Sequence, residues 1–110
     1  MTIQRIGPGF VVLYRWRLHE DKVESFITAW SAISKRLLEE SGSLGSRLHR
    51  GQDGILYSYA QWPSEETRRR AFATPALDPS HGVAMRAAIA EELPEVELKS
   101  ISDFMVLPAQ

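Results

Sequence analysis

The sequence predicts an α+β domain of order β-α-β-β-α(α)-β, built on one antiparallel sheet of four strands. Three observations predict it. Residues 54–62, GILYSYAQW, are largely apolar on both faces, as a central strand is, and run into Pro63-Ser64-Glu65-Glu66, a strand stop followed by a helix start. Residues 10–18, FVVLYRWRL, are also apolar on both faces in their first half. Between them lie a long amphipathic helix and a short polar strand.

In chain order, Gly7-Pro8-Gly9 breaks any earlier structure and Phe10 opens strand one. Phe10, Val12, Tyr14, Trp16 and Leu18 point one way, and Val11, Leu13, Arg15 and Arg17 the other. His19-Glu20-Asp21 starts a helix to about Ser41, with Val23, Phe26, Ile27, Trp30, Ile33, Leu37 and Leu38 at the spacing of one buried stripe. Gly42 suits the position just past its end. Residues 44–50 read as a polar edge strand, and Gly51-Gln52-Asp53-Gly54 turns the chain into strand three. There Ile55, Tyr57, Tyr59 and Gln61 share one face, and Leu56, Ser58, Ala60 and Trp62 the other. The second face dips at the small Ser58 and Ala60 beneath the large Trp62.

Residues 64–72 form a short helix with Arg68-Arg69-Arg70 on a solvated flank. Asp78-Pro79 opens another helix through Val83, Met85, Ala87 and Ile89 to Leu93, closed by Pro94. Residues 95–107 make the last strand, whose change of phase at 100–103 predicts a bulge. With right-handed crossovers the economical arrangement is ferredoxin-like, with strands one and three central and strand two at an edge. So few helices cover only one face of the sheet. The other face, also apolar, is expected to meet a second copy, giving a homodimer through the open sheet face.

The 110 residues fit a single domain, 1–110, with a core over about 9–107. A formal net charge of −1 argues against a dedicated nucleic-acid binder. There is no Cys, hence no disulfide, thiolate metal site or cysteine nucleophile. No signal-like N-terminus and no run of membrane-spanning length is present, so a cytoplasmic protein away from membranes is expected. There is also no Gly-rich phosphate loop, no Ser-His-Asp order and no His/Glu cluster at metal-ligand spacing.

Four stretches carry a family resemblance: Val11-Val12-Leu13-Tyr14-Arg15-Trp16, Lys22-Val23-Glu24-Ser25-Phe26, Gly42-Ser43-Leu44-Gly45-Ser46-Arg47-Leu48, and the junction Tyr59-Ala60-Gln61-Trp62-Pro63-Ser64. Together with His81, they make the chain resemble the antibiotic biosynthesis monooxygenase family of the dimeric α/β-barrel superfamily, over residues 9–107. The resemblance implies a dimeric barrel. Its function would be oxygenation of an aromatic or polycyclic small molecule by O2 with no cofactor. Haem binding or degradation through His81 is the alternative it implies, and a non-enzymatic small-molecule-binding or stress-related dimer is a further one. Relatives that oxidise polyketides pair the junction Trp with an Asn, and haem-degrading ones use an Asn on strand one; this chain has no Asn, and Tyr14 falls at the strand-one position.

The candidate catalytic residues are Trp62, His81 and Tyr14, and the candidate substrate-binding residues are Trp16, Arg15, Ser58 and Ala60; no metal site is expected. Trp62 either packs the core or offers its indole N–H to a developing oxyanion. His81 suits a general base or an iron ligand, or else a solvated helix start. Tyr14 would present a hydroxyl to a phenol or carbonyl, and Arg15 and Arg17 would hold an anion or pair with Glu residues. Tyr57 and Tyr59 are assigned to the sheet-sheet interface.

Overall fold

The computed structural model describes residues 9–106. Strand β1 (Phe10–Leu18) leads through a 3-10 turn (Glu20–Lys22) into α1 (Val23–Glu40). Then come β2 (Gly45–Arg50), β3 (Leu56–Trp62), α2 (Glu65–Ala73), α3 (Ser80–Ala88) and β4 (Ile89–Leu98). The strands pair antiparallel in the order β2-β3-β1-β4, so the ferredoxin-like arrangement holds, with β1 and β3 central. No helix among the described residues is long and apolar enough to cross a membrane.

Register decides which side chains meet the helices. Phe10 faces Trp62, Val12 faces Ala60, Tyr14 faces Ser58 and Trp16 faces Leu56 across β1 and β3. Side chains alternate along a strand, so these pairs share one face. That face meets α1, α2 and α3 in two apolar clusters. One holds Val12, Leu37, Ala60, Trp62 and Ala71; the other holds Trp16, Phe26, Leu56 and Ala88. Burying each large side chain contributes about 1.5–3 kcal/mol before chain entropy is subtracted. Trp30 leans on the second cluster and its Nε1–H donates to Ser58 Oγ at 3.2 Å, filling the dip expected beside Ser58. The opposite face carries Leu13, Tyr57, Tyr59, Gln61, Val96 and Leu98, the last two exposed.

The local signals act as expected at three turns. Gly42, at φ +82°, ends α1, and the N–H groups of Ser41 and Ser43 both donate to the Leu37 carbonyl. Ser64 Oγ accepts from Thr67 N at 3.1 Å and caps α2. The Asp53-Gly54 turn is held by Asp53 Oδ1, which accepts from Ile55 N. A Cβ at Gly42 would sit 2.8 Å from Thr67 Cγ2 in a backbone region that L side chains avoid. Gly42→Ala is therefore expected to lower stability by about 1–2 kcal/mol, read as a fall in the urea midpoint.

The last third of the chain departs from the expectation. Helix α3 ends at Ala88, not near Leu93, because Ile89 already pairs with Leu18 and Ala88 O accepts from His19 N at 2.9 Å. Pro94 lies inside β4 instead of terminating a helix. An edge strand tolerates its missing N–H, above all at a bulge. The bulge is there, not at 100–103: the register steps from Leu13↔Val96 to Arg15↔Leu93, so Pro94 and Glu95 both stand across from Tyr14. Freed from the ladder, Pro94 O accepts from Arg15 Nε at 3.1 Å and Nη2 at 2.7 Å. Residues 99–106 are not a strand and are exposed. The Gly7-Pro8 break and the expected strand end at Leu107 lie outside the described residues.

Candidate functional site

The site is built where β3 hands over to α2. Trp62 ends the strand, and Pro63 and the Ser64 cap turn the chain back so that α2 lies over the end of the sheet. Only Ala71 of α2 is buried. Phe72, 55% exposed, sets its ring 5.9 Å from that of Trp62. Arg68, one turn earlier, reaches down to the sheet. Its Nε–H donates to Tyr14 Oη at 2.9 Å, its Nη2 pairs with Glu95 Oε1 at 2.8 Å, and its guanidinium carbon stands 5.5 Å from both the Tyr14 and the Phe72 ring centroids. Tyr14 in turn stacks parallel on Trp16 at 5.7 Å, and Trp16 meets Phe26 edge-on at 5.1 Å. Beside α2 opens a cleft of about 370 Å³ lined by Glu65, Arg68, Arg69, Phe72 and Ala73.

Two donors mark this site chemically. Trp62 is 1% exposed, yet its indole Nε1–H is buried with no hydrogen-bond partner among the described residues. Such a group costs about 1–3 kcal/mol when left unsatisfied. Tyr14 accepts from Arg68, which leaves its own O–H free to donate. Burial raises the Tyr14 pKa above the ordinary tyrosine value, the Arg68 hydrogen bond and charge oppose the rise, and the charges of Glu95 and Glu97 add to it. Burial thus favours the neutral, protonated form of Tyr14. Burial works against the charge of Arg68, but its bonds to Tyr14 and Glu95 more than compensate and raise its pKa.

The Tyr14 shift has a stability consequence. A pKa raised by folding stabilises the native state below the unfolded value, near 10, and that stabilisation is lost as pH rises through the folded value. Wild type is therefore expected to lose more stability than Tyr14→Phe as the pH rises above about 10, a difference readable by urea unfolding.

The structure gathers some of the residues singled out from the sequence and disperses others. Trp62, Ala60 and Tyr14 belong to one cluster, and Trp16 is joined to it through Tyr14. Ser58 is buried with its hydroxyl taken by Trp30. Arg15 lies on the other face of the sheet, held by Pro94. His81 is exposed in the first turn of α3; it lines neither the cleft beside α2 nor a second one, of about 440 Å³, between α1 and β2. Sequence reasoning passed over Arg68 as one of three solvated arginines. Arg69 and Arg70 are so, pairing along the helix with Glu65 and Glu66. The signal for Arg68 was its phase: it stands four residues before Phe72 and three before Ala71, on the inward face.

No family model and no curated protein matches the sequence. Solved structures do match. SnoaB, a cofactor-independent oxygenase from Streptomyces nogalater, superposes with a TM-score of 0.73 at 18% identity, over 86% of this chain and 95% of its own. An antibiotic biosynthesis monooxygenase gives 0.70 at 13% identity, over 84% and 99%. A conserved protein from Methanosarcina mazei Go1 gives 0.73 at 12%, over 87% and 96%. The chain has the antibiotic biosynthesis monooxygenase fold. At these identities the likeness is one of fold, and the chemistry has to be argued from the site.

Proposed function

We propose that the protein is a cofactor-independent oxygenase of the antibiotic biosynthesis monooxygenase type, acting with O2 on a planar aromatic of the anthrone or quinol class. The observation that carries this reading is the buried, unpartnered Trp62 N–H, in a cluster against which the Tyr14 side chain packs. Either donor, brought against the oxygen of a bound enol or phenol, favours its ionised form, the form that reacts with O2. The substrate seats between the sheet and α2, displacing Phe72 from the Trp62 ring. An anthrone is bound as the enolate, its methylene proton passing to solvent; the carbanion passes one electron to O2, and the pair combine as a peroxide at carbon. One oxygen atom stays in the new carbonyl; the other leaves as water, with the second methylene hydrogen and a proton taken back from solvent. Trp62 and Tyr14 hold the charge on the substrate oxygen, while Trp16 and Ala60 shape the apolar walls.

The haem alternative has less to support it, because His81 is exposed and apart from the Trp62 cluster. The working unit in this reading is a cytoplasmic homodimer of single-domain chains, whose open faces, with Leu13, Tyr57, Tyr59, Val96 and Leu98, cover each other. A thermal-shift screen against anthrones, quinols, flavonoids and haemin tests the reading, since a ligand bound only by the native state raises Tm. A rise with an anthrone or quinol is expected. A rise with haemin alone would transfer the assignment to iron chemistry, and no rise with any aromatic would favour a binding or structural dimer.

A further inference from the structure

Among the three consecutive arginines of α2, only Arg68 is turned inward, its side chain 18% exposed. It uses two N–H groups, on Tyr14 and on Glu95, of the five that a guanidinium carries. The rest of its edge opens on the cleft beside α2, where the half-exposed Phe72 ring forms an apolar wall. Its carboxylate partner reaches it only because of the β4 bulge, which sets Glu95 across from Tyr14. That carboxylate is the more exposed partner, at 40%, and comes from an edge strand. The pair is thus open to solvent on its carboxylate side, where an anion entering the cleft competes with Glu95 for the guanidinium. The arrangement therefore holds an arginine fork, an aromatic wall and an exchangeable internal carboxylate.

We propose that Arg68 is the specificity-determining residue of this cleft and that Glu95 stands in for the carboxylate of an aromatic carboxylic acid, which displaces it on binding. The inference rests on the preceding reading for the location of the substrate, and it names the class: planar aromatics carrying a carboxylate at the edge, gripped by the guanidinium fork with the ring against Phe72.

The test is a calorimetric titration with anthraquinone-2-carboxylate and, as its neutral match, anthraquinone-2-carboxamide. Both are already at the oxidation level of a product, so the result does not depend on turnover. The carboxylate is expected to bind about 10-fold tighter or more, and Arg68→Met to abolish that preference. Glu95→Gln keeps the shape and removes the competing charge. It is expected to tighten the carboxylate about threefold while leaving the carboxamide unchanged. Because Glu95→Gln leaves Arg68 in place, it decides the matter even if Arg68→Met unfolds. Equal affinity for the two probes, binding of neither, or a weaker carboxylate complex in Glu95→Gln would overturn the proposal. Absence of oxygenase turnover alongside a preserved charge preference would remove the reaction and leave the recognition standing.

Discussion

Replacing Trp62 by Phe is expected to cut oxygen consumption on an anthrone by about 100-fold while the protein stays folded. The two effects separate because the indole serves two ends. Its ring fills the space among Val12, Leu37, Ala60 and Ala71, which Phe fills only in part, at a cost of about 1–2 kcal/mol. Its N–H satisfies nothing in the resting fold, so removing it relieves an unsatisfied buried donor of about the same magnitude. Tm should change by only a few degrees. Trp62→Ala is the contrasting variant: the whole ring goes, and the loss of about 3–5 kcal/mol takes fold and activity together. If Trp62→Phe consumes oxygen at the wild-type rate, the indole N–H has no part in catalysis.

The second large effect concerns assembly. Tyr59→Arg is expected to weaken self-association by at least about 2 kcal/mol, giving monomers where wild type sediments as a dimer. Tyr59 lies between Leu13 of β1 and Arg47 of β2, on the face without helices, and belongs to neither helix-side cluster. A charge there leaves the core of the chain alone. It would nonetheless bury an unpaired guanidinium beneath a second sheet, beside an arginine already present. Sedimentation velocity with circular dichroism separates the outcomes. A folded wild type that is monomeric at about 50 μM, weaker than any working assembly with a stable interface, would remove the dimer from the picture.

Much of this fold was legible because β1 and β3 carry signals at two levels. Their alternation sorted the residues of each into two faces, and the Pro63-Ser64 junction fixed where β3 ends. The polar composition of residues 45–50 likewise marked an edge, where the structure has β2. Residues 89–93 were misread because Val83, Ile89 and Leu93 suit a helical stripe as well as an edge strand, and because Pro94 looks like a terminator until a bulge is there to house it. At the site, Trp62 and Tyr14 were visible as unusual residue types in a strand. The orphaned state of the indole N–H was not, since it depends on which polar groups the folded chain fails to bring near. Arg68 was hidden by its neighbours: a run of three arginines reads as solvated unless the helical phase relative to Phe72 is followed. Glu95 depended on a register slip in β4 that no local pattern announces.

The most direct test of the oxygenase reading is oxygen uptake by metal-stripped protein given 1,8-dihydroxyanthrone, followed with an electrode alongside quinone absorbance. The expected result is one O2 consumed per quinone formed, at a rate well above the spontaneous one, unaffected by chelator and lost in Trp62→Phe. A rate equal to the protein-free control, or one that returns only when metal or haemin is added, would contradict it.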